Sequence, residues 1–330
     1  AKGAVTILAA LGAEYINFGS ESGNIDAFLA LVEAIDRHRA EYERYVKEQI
    51  KKGVSYPRAA AEAFKRLDLA NNVVRLDQPN NILGYHYVRA IKEGGFPMTA
   101  TTTLRKQAHF HEETLPNASI ASATSIRKAI MNEEEPSKLR RVMPEPSLHI
   151  LNEYMKNYSL FHTWERYFPF LQYKVLSSSP EALRRIYECE EGLEYRVFET
   201  MKNASTFHEW MTLLKTKRYT WTRLQRLAVH ILTNTTKEEM ETALSVKPLP
   251  AVRLLGMTSR GQQYLRETRK DRTIEVLAKA KKAANPLAVI DERIARIYYL
   301  PLEASLRQKR MQEEFQRTPI LPTVEKDDPV

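Results

Sequence analysis

The spacing of apolar residues predicts alternating strands and helices in the first part of the chain. An apolar run at residues 15–18, bounded by Gly12 and Gly19, predicts a buried strand. Helical spacing of apolar residues follows at residues 25–50, 56–67 and 80–92. A β-rich stretch at residues 96–104 then supplies a second strand. This order of elements predicts an α/β domain over residues 1–132.

Two parts of this domain carry local signals beyond the apolar spacing. Asn80 is a candidate N-cap, because its short side chain can accept a hydrogen bond from the first turn of a helix. Gly94 and Gly95 are predicted to end that helix, since glycine readily adopts the left-handed conformation of a C-cap. The turn at residues 19–24 (GSESGN) follows the first strand, where open α/β sheets bind their ligands.

Past residue 133 the apolar spacing is helical almost throughout. The predicted helices cover residues 148–160, 163–176 and 180–201, and the serines at 177–179 supply a cap for the third. An acidic cluster lies on that third helix and consists of Glu188, Glu190, Glu191 and Glu194. A solvated or ion-paired face explains this cluster better than a general acid does. We predict a mainly helical domain at residues 133–245 and a small α/β or helical region with a loose tail at residues 246–330.

Residues 120–129 (IASATSIRKA) form a candidate anion site. Ser122 or Thr124 can cap the start of a helix, and its first amide groups would then face a ligand. Ser125 lies in the same turn, and the guanidinium of Arg127 can reach the same anion. The alternative is an ordinary capped helix without a ligand, and this stretch alone leaves both interpretations open.

A second candidate site is the basic and aromatic segment at residues 213–226 (LLKTKRYTWTRLQR). Trp221 and Leu224 continue with Ala228 and Ile231 along one helix face, which predicts a core position for them. The candidate RNA contacts in the segment are Lys215, Lys217, Arg218, Tyr219, Arg223 and Arg226. Basic side chains suit a phosphate backbone, and a neighbouring aromatic ring can stack on a base. An amphipathic helix with a solvated basic face is the alternative hypothesis.

Composition limits the class of protein. The 330 residues carry a formal net charge of +9 at pH 7, which favours a polyanionic partner. No apolar run has the length of a membrane span, and no secretory signal is visible. The single cysteine, Cys189, cannot form an internal disulfide and favours a reducing cytoplasm. Residues 109–113 (HFHEE) lack a third ligand at zinc spacing, so no metal site is predicted. No protein partner is predicted.

Six strings, in order along nearly the whole chain, resemble one family. They are LGAEYINFGSESGNI, QPNNILGYHYV, IASATSIRKA, YECEEGLEYRV, LLKTKRYTWTRLQR and RLLGMTSRGQQYL. Through them the chain resembles the bacterial tRNA(Met) cytidine acetate ligases of the HIGH-type nucleotidylyltransferase superfamily. The resemblance implies a Rossmann-like nucleotidyltransferase domain that activates acetate with ATP as acetyl-adenylate. It further implies acetylation of N4 of the wobble cytidine in elongator tRNA(Met), with Mg²⁺ expected beside ATP.

The resemblance also implies site residues. Gly19, Asn80 and Arg105 resemble the family's ATP contacts outside its N-terminal motif. Residues 122–127 resemble the second signature of the superfamily, which holds triphosphate oxygens at a helix start. In this sequence the corresponding side chains are Ser122, Thr124, Ser125 and Arg127. The tRNA is expected on the helical half, where the basic segment lies.

One part of the family's pattern has no counterpart. No histidine in this sequence is followed by x-Gly-His, so the HxGH signature and its strand do not occur. The α/β domain is therefore expected to be N-terminally incomplete, and no catalytic residue is assigned within this sequence. We expect this chain to form acetyl-adenylate more slowly than a chain that carries the signature.

Two other functions stay open on the sequence. Another adenylyltransferase of the superfamily, acting on a small molecule, would share the helix start at residues 122–127 but would not need the basic helical half. A non-catalytic RNA-binding fragment would fit the charge and the missing signature. ATP binding separates an enzyme from the RNA-binding alternative, and acetate-dependent pyrophosphate exchange separates the two enzymes.

Overall fold

The computed structural model describes residues 1–67, 73–105, 120–132, 136–245, 251–279 and 286–321. The chain divides into two units, Ala1–Phe161 and His162–Val330. The boundary predicted at residue 132 falls inside the first unit, where Ala129 packs with Leu139 and Leu148. The boundary predicted at residue 245 adjoins residues 246–250, which lie outside the described residues. The division into three regions stays a prediction.

The first unit contains a parallel two-stranded sheet and eight helices in its described part. In chain order these elements are α1 (Lys2–Ala10), β1 (Tyr15–Ser20), α2 (Ile25–Arg37), α3 (Arg39–Lys51), α4 (Tyr56–Arg66), α5 (Pro79–Gly94), β2 (Thr99–Leu104), α6 (Ala123–Met131), α7 (Pro136–Arg140) and α8 (Glu145–Tyr158). Residues alternate between buried and exposed along β1, as expected for a strand with one covered face. Ile16, Phe18 and Ser20 are buried, so Gly19 lies on the exposed face.

Helix α5 packs tightly on the buried face of β1 and fixes the position of its own N-terminus. A Cβ atom added at Gly84 would overlap the Phe18 ring and come within 2.8 Å of Cε1 of Phe28. The two phenylalanine rings meet edge to face, with their centroids 5.2 Å apart. Gly95 ends the helix in the left-handed conformation with φ of 60°, which confirms the predicted C-cap.

Two sequence predictions in this unit are wrong in detail. The helix predicted over residues 25–50 is interrupted at His38, because α2 packs against α5 whereas α3 packs against α4. Asn80 is not the N-cap of α5: Gln78 occupies that position in an extended conformation, and Pro79 begins the helix. Asn80 therefore lies within the first turn, where its side chain is available for other contacts.

The second unit is mainly helical, with one short parallel strand pair. Its elements are α9 (Trp164–Leu176), α10 (Pro180–Arg184), α11 (Leu193–Met201), α12 (Phe207–Leu214), α13 (Trp221–Leu232), α14 (Lys237–Ser245), β3 (Ala251–Arg253), α15 (Ser259–Glu267), β4 (Glu275–Leu277), α16 (Pro286–Tyr298) and α17 (Ala304–Gln316). Its core surrounds the fully buried Trp210. Leu224, Ala228 and Ile231 are buried there as predicted, and Trp221 packs against them partly buried.

The helix predicted over residues 180–201 is two helices. Ser179 caps α10 as predicted, accepting a hydrogen bond from Ala182 N at 3.2 Å. The chain then leaves the helical conformation, and α11 begins only at Leu193. Glu188 and Glu191 adopt the left-handed conformation, with φ of 63° and 59°. Three of the four predicted cluster members, Glu188 among them, therefore lie on a loop, and only Glu194 is helical.

Two further predictions concern metal and membrane binding. The histidines and acids at residues 109–113 lie outside the described residues. No helix in the described part of the chain combines the length and the apolar character that crossing a membrane requires.

Candidate functional site

The carboxyl end of β1 brings two predicted ATP contacts together. Gly19 pairs with Thr103 in the sheet, and Arg105 N donates to Ser20 O at 2.9 Å just beyond the last pair. The Arg105 side chain runs past Gly19, so a Cβ atom added there would lie 3.4 Å from Arg105 Cγ. That is an ordinary van der Waals contact, so packing within the protein does not by itself require a glycine at position 19. Gly19 thus leaves exposed backbone beside an exposed guanidinium.

The turn after β1 is held by side-chain hydrogen bonds. The Ser20 hydroxyl accepts from Gly23 N at 2.9 Å and lies 2.8 Å from the Thr102 hydroxyl. Asn24 then caps α2, accepting from Asp26 N at 3.0 Å. These bonds fix the backbone next to Gly19 in one conformation, which preorganises the strand end for a ligand.

Asn80 reaches the same turn through Glu21. The Glu21 carboxylate accepts from Asn80 Nδ2 at 2.7 Å and from Asn81 N at 2.9 Å. Burial would raise the pKa of Glu21, but the hydrogen bonds from Asn80 and Asn81 outweigh it and hold the pKa below its usual value. The carboxylate is therefore ionised at neutral pH and caps the positive end of α5. Glu21 is not among the site residues predicted from the sequence.

The start of α6 has the predicted cap. Ser122 Oγ accepts from Ser125 N at 3.0 Å, and Ser125 Oγ donates to Ser122 O at 2.9 Å. Both serines are buried, whereas Thr124 and Arg127 are exposed. Ser122 is thus the cap, and the exposed pair is available to a ligand. Residues 106–119, which lead to this helix, are outside the described residues, and a common ligand for α6 and the β1 turn stays a prediction.

In the second unit, every arginine of the basic segment is paired with a glutamate of one loop. We call Arg218, Arg223 and Arg226 the arginine row, and Glu188, Glu190 and Glu191 the acidic loop. Arg226 forms a bidentate pair with Glu188, with both N–O distances 3.1 Å. Arg223 lies 3.7 Å from Glu190, and Arg218 pairs with Glu191. The ion-paired interpretation of these three acids is therefore confirmed.

Other candidates in the basic segment differ in exposure. Lys215 and Lys217 are exposed, as a phosphate contact requires. Tyr219 is only 5% exposed, and its hydroxyl donates to Glu191 Oε2 at 3.1 Å. The Arg223 guanidinium lies over the Tyr219 ring, 4.9 Å from its centroid. Tyr219 thus supports the arginine row, and its ring does not offer the free face that base stacking needs.

Comparison with known proteins identifies the family. The HIGH Nucleotidyl Transferase family matches residues 1–314. The chain belongs to this family. It is 47% identical to the tRNA(Met) cytidine acetate ligase of Halalkalibacterium halodurans over 322 residues, covering 97% of this chain and 77% of that protein. It is 43% identical to the enzyme of the same name in Bacillus subtilis, with the same coverage.

Solved structures show the same architecture. The apo crystal structure of Thermotoga maritima TmcAL matches with a TM-score of 0.85 at 25% identity, covering 97% of this chain and 80% of that chain. A second crystal form, bound with alpha-thio ATP, matches with a TM-score of 0.83 at 23% identity and shares the fold. The predicted family and the predicted combination of a nucleotidyltransferase α/β domain with a mainly helical region are thereby confirmed.

The sequence did not indicate Glu21 as a site residue, and it did not indicate which residues the acidic loop would pair with. Glu21 carried no signal of its own, because its partner Asn80 is 59 residues away in the chain. The acidic loop was visible as a cluster, but its pairing with the arginine row spans 27 to 38 residues. Both contacts depend on how the elements pack and not on a local pattern.

Proposed function

We propose that this protein is an ATP-dependent ligase that acetylates N4 of the wobble cytidine of elongator tRNA(Met). The observation that carries the proposal is the 47% identity to a tRNA(Met) cytidine acetate ligase over 97% of the chain. The α/β unit presents Gly19, Asn80 and Arg105 around one strand end, where a family member would hold ATP. The compartment expected for such an enzyme is the cytoplasm.

Adenylation solves the chemical problem of using acetate as an acyl donor. An acetate oxygen attacks the α-phosphorus of ATP, pyrophosphate leaves, and acetyl-adenylate forms. The cytidine amine then attacks the acetyl carbon, and AMP leaves with the acyl C–O electron pair while the amine loses a proton. Negative charge grows on the phosphates in the first step, and Arg105, Arg127 and the start of α6 are suited to stabilise it.

The single cysteine does not offer an alternative acyl carrier. Cys189 is completely buried, and burial raises the pKa of its thiol to about 12. A thiol in this state is neither ionised at neutral pH nor accessible to acetyl-adenylate. The acetyl group is therefore proposed to pass directly from the adenylate to the RNA.

Mg²⁺ is expected to accompany ATP. In the described ranges, no three His, Cys, Asp or Glu side chains come close enough to hold a metal ion together. A Mg²⁺ that arrives with ATP is held largely by phosphate oxygens and water. We assign no step of the reaction to the metal.

The proposal is tested by acetate-dependent ATP–pyrophosphate exchange, followed by transfer of labelled acetate to tRNA. The assay uses this chain preceded by the family's histidine signature, which we call the signature-bearing protein. We expect exchange that requires acetate, and label that enters elongator tRNA(Met) but not a transcript whose wobble cytidine is replaced by uridine. Exchange supported by another carboxylate but not by acetate would contradict the proposed substrate. Label in the uridine transcript would contradict the proposed acceptor.

Arg127 is predicted to act on ATP and not on RNA. Replacing it with alanine in the signature-bearing protein should weaken ATP binding about tenfold, because a hydrogen bond to a charged group contributes about 1.5–3 kcal/mol. Affinity for tRNA should stay the same. Lys128→Ala changes the neighbouring exposed cation on α6 and serves as the control. Isothermal titration with ATP measures the effect, and equal affinities for both variants would mean that the α6 start is only a capped helix.

A further inference from the structure

Glu21 and the start of α5 form a reciprocal clamp. The Glu21 carboxylate accepts from Asn80 Nδ2 and Asn81 N, as described above. In return, Asn81 Oδ1 accepts from the backbone N–H groups of Glu21 at 3.1 Å and Ser22 at 3.2 Å. Asn81 is 4% exposed, and its Nδ2 donates to Arg75 O at 3.3 Å. The turn after β1 and the first turn of α5 are thereby held together by hydrogen bonds in both directions.

The clamp determines which way the Asn80 amide faces. A carboxylate can only accept hydrogen bonds, so the Asn80 NH₂ group must be the end that contacts Glu21. The carbonyl oxygen Oδ1 is then on the side of the amide away from Glu21. Without the carboxylate, the amide could rotate and present either end. Glu21 therefore fixes the Asn80 amide so that a ligand meets its carbonyl oxygen, which is a hydrogen-bond acceptor.

The clamp also prevents phosphate from binding at the N-terminus of α5. The first amides of a helix and its positive dipole end attract anions. At α5 these groups already face the ionised Glu21 carboxylate, with Asn81 N at 2.9 Å from Oε2. A phosphate at the same place would be repelled by that charge, so α5 is left to contact an uncharged part of the nucleotide.

We propose that Glu21 is a positioning residue for ATP, which holds Asn80 so that its Oδ1 accepts a hydrogen bond from the nucleoside. The inference rests on the proposed function, in which Asn80 contacts ATP. The donor is either a ribose hydroxyl or the exocyclic amine of adenine. Glu21 itself does not touch the reacting atoms.

The experiment is a double-mutant cycle with Glu21→Gln, Asn80→Asp and the double variant. In Glu21→Gln one carboxylate oxygen becomes an NH₂ group, so the side chain can no longer accept from both Asn80 Nδ2 and Asn81 N, and the Asn80 amide is no longer fixed. Asn80→Asp places two carboxylates side by side. In the double variant, the new glutamine amide can donate its NH₂ to the new aspartate, whose second oxygen again faces the ligand as an acceptor. The double variant also keeps the net charge of the wild type. Glu14→Gln, at an exposed position just before β1, is the matched control for loss of a carboxylate.

We expect each single variant of the signature-bearing protein to bind ATP about tenfold more weakly and the double variant to recover to within about threefold of wild type. Titration with 2′-deoxy-ATP, 3′-deoxy-ATP and purine riboside triphosphate, which lacks the amine, identifies the donor. The analogue that lacks the donor should bind the wild type and Glu21→Gln equally. Melting temperatures report any separate effect on folding.

The outcomes separate this inference from the proposed function. If wild type binds ATP and Glu21→Gln binds it equally well, the inference is overturned and the proposed function stands. A double variant no better than the weaker single variant, with melting temperatures unchanged, would also overturn it. If wild type itself does not bind ATP, both the inference about Glu21 and the proposed function are wrong.

Discussion

Gly84→Ala is expected to destabilise the first unit, although alanine is the better helix former. In an open helix interior the exchange would stabilise by about 1 kcal/mol. Here the new methyl group would overlap the buried rings of Phe18 and Phe28. Overpacking of this kind costs about 1–3 kcal/mol and displaces backbone. Because the overlap involves two buried rings, the upper part of this range applies, and after subtracting the gain in helix propensity we expect a net loss of about 1–2 kcal/mol, seen as a melting temperature lower by several degrees.

The same change should weaken ATP binding, because α5 carries Asn80 and must move away from β1. Gly3→Ala in α1 is the matched control, since a Cβ atom there meets nothing within 4 Å. Thermal unfolding followed by circular dichroism measures the stabilities, and isothermal titration measures the affinities. An unchanged or raised melting temperature for Gly84→Ala would show that α5 does not lie this close to Phe18.

Local signals in the sequence predicted several of the elements and some of their ends. The cap at Ser122 and the left-handed Gly95 are each determined by residues within one helical turn. Ser122 was one of the two predicted candidates for the cap, and Gly95 belongs to the glycine pair predicted to end α5. The apolar stripe through Leu224 and Ile231 also predicted the core of the second unit. These features need no knowledge of the rest of the fold, because hydrogen bonds and periodicity within the segment specify them.

Contacts between distant segments were not predictable in the same way. Asn80 looked like an N-cap because asparagine favours that position, but Pro79 begins the helix one residue earlier and Glu21 supplies the capping carboxylate from another element. The loop between α10 and α11 was taken for helix, since its acids are compatible with one. Its left-handed glutamates form ion pairs with the arginine row. No local sequence pattern shows that the arginine row lies beside this loop.

The pairing of the arginine row changes how an RNA-binding test should be designed. Reversing the charge of Arg223 and Arg226 would place new carboxylates against Glu190 and Glu188 and disturb the loop. Replacement by alanine removes the predicted phosphate contacts without that repulsion. Replacing Glu188 and Glu190 with glutamine leaves both arginines in place but releases them from their ion pairs. The two double variants should therefore change RNA affinity in opposite directions.

For Arg223→Ala with Arg226→Ala, we expect tRNA binding to weaken by at least tenfold at moderate salt. Each lost phosphate contact should also lower the slope of log K against log salt by about one. Filter binding across a salt series gives both quantities. The fold should persist, because both side chains are at least one-third exposed and exposed ion pairs contribute only about 0–1 kcal/mol each.

For Glu188→Gln with Glu190→Gln, we expect tRNA to bind more tightly by about three- to tenfold, since RNA no longer has to break two ion pairs of about 0–1 kcal/mol each. The salt slope should stay that of wild type, because the arginines that are predicted to contact phosphate are unchanged. If the ion pairs only stabilise the fold, a different result is expected. Both double variants would then lower the melting temperature and leave RNA affinity alone, and the arginine row could not be the tRNA-binding surface.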